Sequence, residues 1–97
     1  MSVDTVELTP DGYLRLRAEQ ARRWFPADSL VAVPRDDELW LIPLTGPEGG
    51  GLLLKQRNLA GDRSALVLEA LDHLGSPAGI CSASWDDAHG AVRVTVS

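Results

Sequence analysis

The sequence predicts an α+β fold: a compact, mainly antiparallel sheet with two short helices, built from two similar βαββ halves. Three observations lead to this prediction. Apolar and polar residues alternate in short runs between turn signals, which is typical of half-buried strands. Two stretches with helical spacing of apolar residues interrupt these runs. A Gly/Pro-rich segment at 46–51 divides the chain of 97 residues into halves that repeat one order of elements.

The first half, residues 1–45, is predicted to contain four strands and one helix. The turn at 10–12 has the sequence PDG, and Gly12 can adopt a positive φ there at little cost. Pro26 ends the helix, since the residue before a proline is pushed out of the α region. The strand at 39–44 is apolar on both faces and is therefore predicted to be central and covered on both sides. The predicted elements are strands at 6–9, 13–16, 30–33 and 39–44 and a helix at 18–24.

The second half, residues 52–97, repeats this order. Asp62 is predicted to be the N-cap of a helix at 63–71, because its side chain can accept hydrogen bonds from first-turn amides. The apolar residues that this helix would bury are Leu66, Val67, Ala70, Leu71 and Leu74. In the following strand, the face toward the core is predicted to carry Cys81, Ala83 and Trp85. The predicted strands lie at 52–56, 80–85 and 91–96.

A βαββ unit of about 45 residues is too small to bury a core alone. The two halves, or two copies of the chain in a homodimer, are therefore predicted to complete each other. We predict one domain over 1–97, with 46–51 as a crossover. The sheet is predicted to close in a barrel-like way, because closure removes exposed strand edges. The predicted core residues are Leu14, Leu16, Val31, Val33, Leu39, Leu41, Leu54, Leu66, Leu71, Ile80, Val92 and Val94.

Composition narrows the class of protein. The net charge is −5, so the long-range field repels phosphate backbones and disfavours a nucleic-acid partner. No apolar run approaches the roughly 20 residues of a transmembrane helix, and the N-terminus lacks a signal-peptide pattern. Cys81 is the single cysteine, which excludes an internal disulfide and a cysteine zinc cage within one chain. We predict a cytoplasmic protein with no membrane partner.

Two segments are candidate binding sites. The first contains Lys55, Arg57, Asn58 and Arg63. These residues flank the start of the predicted helix, whose first-turn amides favour anions, so the segment is suited to an anion or to a partner's carboxylates. The alternative is an ordinary solvated strand end. The second candidate is Trp24 with Phe25, since an exposed aromatic pair makes an interface hot spot; the alternative is that both rings cover the sheet edge.

No residue set in the sequence forms a catalytic or metal-binding signature. The acidic turns at 36–38 and 86–87 lack the regular ligand spacing of a calcium loop. His73 and His89 do not form a metal-ligand pair, and no serine lies in a nucleophile elbow. We therefore predict no cofactor, no bound metal and no enzymatic activity.

Residues 5–44 combine three features in order. Positions 8–16 read LTPDGYLRL, a short Arg-rich helix follows, and a hairpin runs from DSLVAV to ELWLIPL over 28–44. In this order and length, the segment resembles the swapped-hairpin module of the AbrB and MraZ group of transcription factors. The resemblance implies an intertwined fold made from two half-units. It also implies DNA binding through four arginines, namely Arg15, Arg17, Arg22 and Arg23.

The function that the sequence favours is a non-catalytic protein-interaction module. We expect an accessory or assembly factor that docks on a larger enzyme or complex through one of the two candidate segments. An AbrB-like transcriptional regulator that binds duplex DNA is the alternative. A small enzyme with a site at a subunit boundary is a third interpretation.

Overall fold

The structure is a computed structural model that describes residues 4–45 and 51–96. The predicted crossover therefore lies outside the described residues, except for Gly51. Nine strands and two helices follow one another in the described ranges. In chain order they are β1 (Asp4–Leu8), β2 (Tyr13–Leu16), α1 (Ala18–Trp24), β3 (Ser29–Arg35), β4 (Glu38–Pro43), β5 (Leu52–Leu53), β6 (Lys55–Gln56), β7 (Arg63–Leu66), α2 (Leu68–His73), β8 (Gly79–Asp86) and β9 (Ala91–Thr95).

The nine described strands form a single sheet in the order β5-β3-β4-β9-β8-β1-β2-β7-β6. Every pairing in it is antiparallel. The strands at the two ends of the sheet, β5 and β6, are separated in the chain by Leu54 alone, so the sheet curls into a nearly closed, barrel-like shape. The predicted α+β class with a mainly antiparallel, barrel-like sheet and two short helices is confirmed.

Pairs of strands from the first and the second half of the chain alternate across this sheet. β1 pairs with β8, β2 with β7 and β4 with β9, so each of these ladders joins residues far apart in sequence. The registers place apolar residues opposite each other, as in Leu14 with Ala65 and Leu41 with Val92. The core is consequently filled from both ends of the chain.

Most of the predicted core is confirmed, and four of its members are wrong. Two of these, Val31 and Val33, are only partly buried and lie outside the core, on the face of β3 opposite to Leu30. Leu14, Leu39 and Leu41 have no exposed surface, whereas the side chains of Leu66 and Ile80 are 48% and 70% exposed. Leu66 pairs with Tyr13 and Ile80 with Glu7, so the strand alternation turns both residues outward. The most buried side chains are Phe25, Leu8, Leu14, Leu16, Leu30, Leu39, Leu41, Leu71, Gln20, Val67, Val92 and Val94.

Helix α1 ends before Pro26, as predicted, but the predicted exposed aromatic pair is wrong. Trp24 is 5% exposed and Phe25 is 1% exposed. The Phe25 N–H donates to the Ala21 carbonyl at 2.8 Å, which closes the helix and holds both rings against the sheet. A helix of two turns has few apolar positions, so it docks through its largest ones. Their burial matches the alternative interpretation, in which both rings cover the sheet.

The helix predicted at 63–71 is also wrong in part. Residues Arg63–Leu66 form β7, which pairs with β2, and the helix α2 begins only at Leu68. Asp62 consequently does not cap α2. Trp85 is 40% exposed near the end of β8, although it was predicted to face the core with Ala83. Neither helix in the described ranges is long and apolar enough to cross a membrane.

Candidate functional site

One row of outward-facing side chains crosses five neighbouring strands. From β6 to β8, successive partners in the ladders are Lys55, Ser64, Arg15, Glu7 and Ile80. Arg15 alternates with the buried Leu14 and Leu16, which fixes its side chain on the solvent side. The sheet thus brings together residues from distant parts of the chain, such as Glu7 and Ile80.

A shallow depression of about 170 Å³ lies beside this row. Three of its lining residues are basic: Arg15, Arg17 and Arg57. We call the surface formed by Lys55, Arg57, Arg15 and Arg17 the basic face. Lys55 and Arg57 are predicted to bind a protein partner, and Arg15 and Arg17 are the two bases for which the family resemblance implies DNA binding. The basic face brings these two pairs together.

The four bases of the basic face differ in how far carboxylates neutralise them. The Arg15 Nη1 atom lies 3.5 Å from Glu7 Oε1, and the Arg17 Nη2 atom lies 3.7 Å from Asp4 Oδ1. Lys55 and Arg57 are exposed, and their side chains make no ion pair with the described residues. These two charges are therefore the ones most available to an external partner.

The loop between β6 and β7 positions Arg57. Its backbone N–H donates to the Asp62 carbonyl at 2.7 Å, and the Asn58 Nδ2 atom donates to Asp62 Oδ2 at 3.0 Å. The other carboxylate oxygen of Asp62 accepts from the Ala18 N–H at 2.9 Å. Asp62 therefore caps the first turn of α1, a helix distant in sequence, instead of α2. The hydrogen bonds from Asn58 and then from Ala18 lower the pKa of the Asp62 carboxyl.

The two remaining polar residues of the first candidate segment have internal partners. Asn58 is used within its own loop, as described above. The Arg63 guanidinium donates through Nε to Asp28 Oδ1 at 3.3 Å and through Nη1 to the Gly61 carbonyl at 2.5 Å. Only 22% of the Arg63 side chain is exposed. Arg63 thus ties β7 to the turn before β3.

The other two arginines of the family resemblance lie on α1. Arg23 is neutralised by two carboxylates, at 2.9 Å from Asp4 Oδ1 and 2.7 Å from Glu19 Oε1. Arg22 is exposed and makes no ion pair with the described residues. Of the four, Arg15 and Arg17 therefore share the basic face, and Arg22 does not line its depression.

Ile80 is the residue of this face that sequence reasoning missed. It was assigned to the core because apolar residues in a strand are usually buried. Its exposed fraction of 70% follows from its position opposite Glu7 on the outer side of the ladder. The signal that could have located it was the alternation with Cys81 and Ala83, which places Ile80 on the opposite face of β8.

A second polar cluster covers the outer face of β4. The Trp40 ring lies under the guanidinium groups of Arg35, at 4.5 Å, and Arg93, at 5.2 Å. Glu38 Oε1 accepts hydrogen bonds from Trp40 Nε1 at 3.2 Å and from Arg93 Nη2 at 2.9 Å. The hydrogen bond that Arg93 donates to Glu38 raises the pKa of Arg93. This cover confirms that β4 is a central strand shielded on both sides.

The hairpin acids take part in these local contacts. Asp86 Oδ2 lies 3.0 Å from His89 Nδ1 and 3.4 Å from Arg93 Nη1. The hydrogen bond with His89 lowers the pKa of the Asp86 carboxyl. In the described part of the chain, no three His, Cys, Asp or Glu side chains are grouped so that they could hold a metal ion.

Comparison of the chain with protein-family models, with curated proteins and with solved structures found no match. The basic face is therefore interpreted from its own geometry and charge.

Proposed function

We propose that this protein is a non-catalytic interaction module that docks on a larger protein or complex through the basic face. The observation that carries the proposal is the placement of Lys55 and Arg57, which form no salt bridge with the described residues, beside Arg15 and Arg17 on one outer surface. The carboxylates of Glu7 and Asp62 line the same depression and offset part of this positive charge. A chain with a net charge of −5 that gathers bases in one place has a local charge opposite to its overall field. The complementary partner surface is acidic.

Ile80 gives this face an apolar element next to its charges. Its side chain is 70% exposed, and its partner across the ladder is Glu7 of the same row. Protein interfaces combine apolar contacts with a polar rim that sets orientation and specificity. A partner segment with carboxylates and an apolar side chain would match the basic face on both counts.

We further propose that the fold consists of two similar halves that interlock. The support is the order of elements, in which β1-β2-α1-β3-β4 is followed by β6-β7-α2-β8-β9. Equivalent strands of the two halves pair with each other, β2 with β7 and β4 with β9. This arrangement is the one that the resemblance to the AbrB and MraZ module implies.

The same arrangement favours a second candidate, an AbrB-like regulator that binds duplex DNA. Three of the four arginines that the resemblance assigns to DNA are paired with carboxylates, which leaves Arg22 as the unpaired one. Binding to DNA gains free energy when protein cations neutralise phosphates and so release the counterions that are condensed on the DNA. An arginine that is already paired with a carboxylate contributes less to this release. For this reason we place protein interaction first and DNA binding second.

The test uses two double variants with the same change in charge. Lys55→Glu with Arg57→Glu reverses the basic face, and Arg22→Glu with Arg35→Glu reverses two exposed bases elsewhere. Affinity capture from the cell extract, quantified by mass spectrometry, should identify a partner that the first variant loses by about tenfold or more, because reversal turns attraction into repulsion. The second variant should retain this partner.

Three results would contradict the interaction proposal. One is equal capture by the wild-type protein and by the Lys55→Glu, Arg57→Glu variant, provided that both have the same Tm. Another is an equal loss of capture in both variants, provided that both have the Tm of the wild-type protein. The third is salt-dependent binding to duplex DNA, measured by anisotropy at roughly 50 mM salt, that Arg22→Glu weakens. This last result would support the regulator.

A further inference from the structure

Most of the outer edge of β3 carries no paired strand in the described part of the chain. β4 pairs with β3 from Leu30 to Arg35, whereas β5 pairs only with Ser29 and Leu30. Beyond Leu30, the side of β3 away from β4 therefore presents backbone groups that no described strand uses. An edge of this kind is a template for an added strand.

The alternation of hydrogen bonds identifies the groups that face this edge. The Ser29 carbonyl accepts from Leu44 N–H on the β4 side at 3.0 Å, and the Asp28 carbonyl accepts from Leu54 N–H on the β5 side at 2.9 Å. Successive residues of an antiparallel strand direct their backbone groups to opposite neighbours. Ala32 and Pro34 consequently face the edge.

Pro34 restricts what can bind there. It has no N–H, and prolines within sheets are confined to positions where that donor is not needed by a neighbour. With respect to the described strands, the edge thus offers the N–H and carbonyl of Ala32 and the carbonyl of Pro34. This is enough for a short strand, centred on Ala32.

An apolar cleft of about 610 Å³ runs along this edge, between β3 and α2. Its volume lies within the roughly 300–1,000 Å³ of ligand-binding clefts. Leu66 and Leu68 on its far side are 48% and 43% exposed, so they have apolar surface left to cover. The apolar side chains that line the cleft are Leu30, Val31, Ala32, Pro34, Leu52, Leu66, Val67, Leu68 and Ala70.

The polar rim of the cleft is acidic. Glu69 and Asp72 on α2 both line it and are exposed. Neither makes an ion pair with the described residues, and Asp72 Oδ1 accepts a hydrogen bond from Ser76 Oγ at 3.3 Å. The third polar side chain of the rim is that of His73. A basic side chain on the occupant would complement the two carboxylates.

We propose that the β3 edge and this cleft bind an extended apolar peptide segment of another protein that carries a lysine or arginine. The segment adds to the sheet as a strand beside β3, with main-chain hydrogen bonds to Ala32. Every second side chain enters the cleft, and the basic side chain reaches Glu69 and Asp72. This site is separate from the basic face and has the opposite charge, so it goes beyond the proposed function.

The test titrates the full chain into a fluorescently labelled, capped heptapeptide that alternates valine with threonine and carries one lysine. Anisotropy should show saturable binding. Ala32→Pro removes the edge N–H without touching the hydrogen bonds to β4, so it should weaken binding about tenfold. Glu69→Lys with Asp72→Lys should weaken binding of the lysine peptide and strengthen binding of a peptide with glutamate in place of lysine.

The second variant keeps the test valid if Ala32→Pro fails to fold, because Glu69 and Asp72 are exposed. The Lys55→Glu, Arg57→Glu variant should bind the peptide as the wild type does, which separates this site from the basic face. Equal affinity of the wild type and the α2 variant for both peptides would overturn the proposal. A second result would also overturn it: the wild-type chain dimerises but does not bind the peptide, and Ala32→Pro abolishes the dimer. The edge would then belong to a second copy of the chain.

Discussion

The strands β8 and β3 differ in the length of the ladder that each forms with one of its neighbours. β1 pairs with β8 over five residues, from Asp4 opposite Ala83 to Leu8 opposite Gly79. β5 pairs with β3 over two residues, Ser29 and Leu30. The first seam is closed by backbone hydrogen bonds along its length. The second leaves an edge and a cleft next to it.

The difference extends to the side chains that each added strand supplies. β1 inserts Val6 and Leu8 into the core at 3% and 1% exposure, whereas Leu53 of β5 is 57% exposed. Around β5 and β6, side-chain hydrogen bonds and an ion pair hold the neighbouring elements together, as the backbone hydrogen bonds of a long ladder do elsewhere. The carboxylate of Asp62 holds the start of α1, and Arg63 holds Asp28. Side-chain contacts can therefore hold a short ladder in place.

The largest expected effect is on stability. Leu8→Ala should lower the free energy of unfolding by about 2–5 kcal/mol, because it leaves a cavity in the core. Leu53→Ala is the matched control and should change it by less than about 0.5 kcal/mol, since its side chain is exposed. Urea unfolding followed by tryptophan fluorescence measures both. Similar losses in the two variants would show that the seams are equally packed.

The second effect is on local opening. Backbone amides of the β1–β8 ladder should exchange with solvent at least about tenfold more slowly than those of the β3–β5 ladder, because a two-residue ladder opens without disturbing the core. Native-state hydrogen exchange followed by NMR gives these rates residue by residue. Equal protection of both ladders would contradict the comparison.

The third effect depends on pH and concerns Asp62. Hydrogen bonds from Asn58 and Ala18 lower its pKa in the folded state. A carboxyl whose pKa is lower in the folded state stabilises the fold at pH values above its unfolded pKa, which is about 3.9 for Asp. This stabilisation is lost as the pH falls through the folded-state pKa. Exchange of the Ala18 amide should therefore accelerate below about pH 4. In Asp62→Asn, which cannot titrate, this acid-dependent acceleration should disappear.

The smallest effect concerns the ion pair between Arg63 and Asp28. Their side chains are 22% and 48% exposed, so solvent screens the 3.3 Å contact. Arg63→Gln should lower the free energy of unfolding by about 1 kcal/mol or less. Chemical denaturation checks the value, with Arg15→Gln, which removes the ion pair to Glu7 between β1 and β2, as the control. A decrease in the free energy of unfolding of more than about 3 kcal/mol would show instead that Arg63 behaves as a partner in a buried ion pair.

Local patterns predicted much of the fold, and their failures have a common cause. The strands at 13–16 and 39–44 and the end of α1 before Pro26 follow from alternation, apolar content and proline geometry. Residues 63–71 have apolar side chains at helical spacing, yet 63–66 became β7 because β2 offers a partner strand. Helix and strand were both compatible with this segment, and tertiary pairing decided between them.

The candidate site was predictable in its parts and not in its assembly. Lys55 and Arg57 were recognised as bases near an element boundary, and Arg15 and Arg17 through the family resemblance. Their meeting on one face depends on β7 lying between β2 and β6. No local pattern encodes this neighbourhood.

Residue order alone specified which side of β1, β2 and β9 is apolar, where their turns occur and how charge is distributed along the chain. These properties depend on neighbours within a few positions. The folded sheet decided which strands are adjacent, how far β5 pairs along β3 and that residues 63–66 form a strand. The physical reason is that a backbone edge can pair with any strand of suitable length, so the choice depends on how the whole chain buries its apolar faces together.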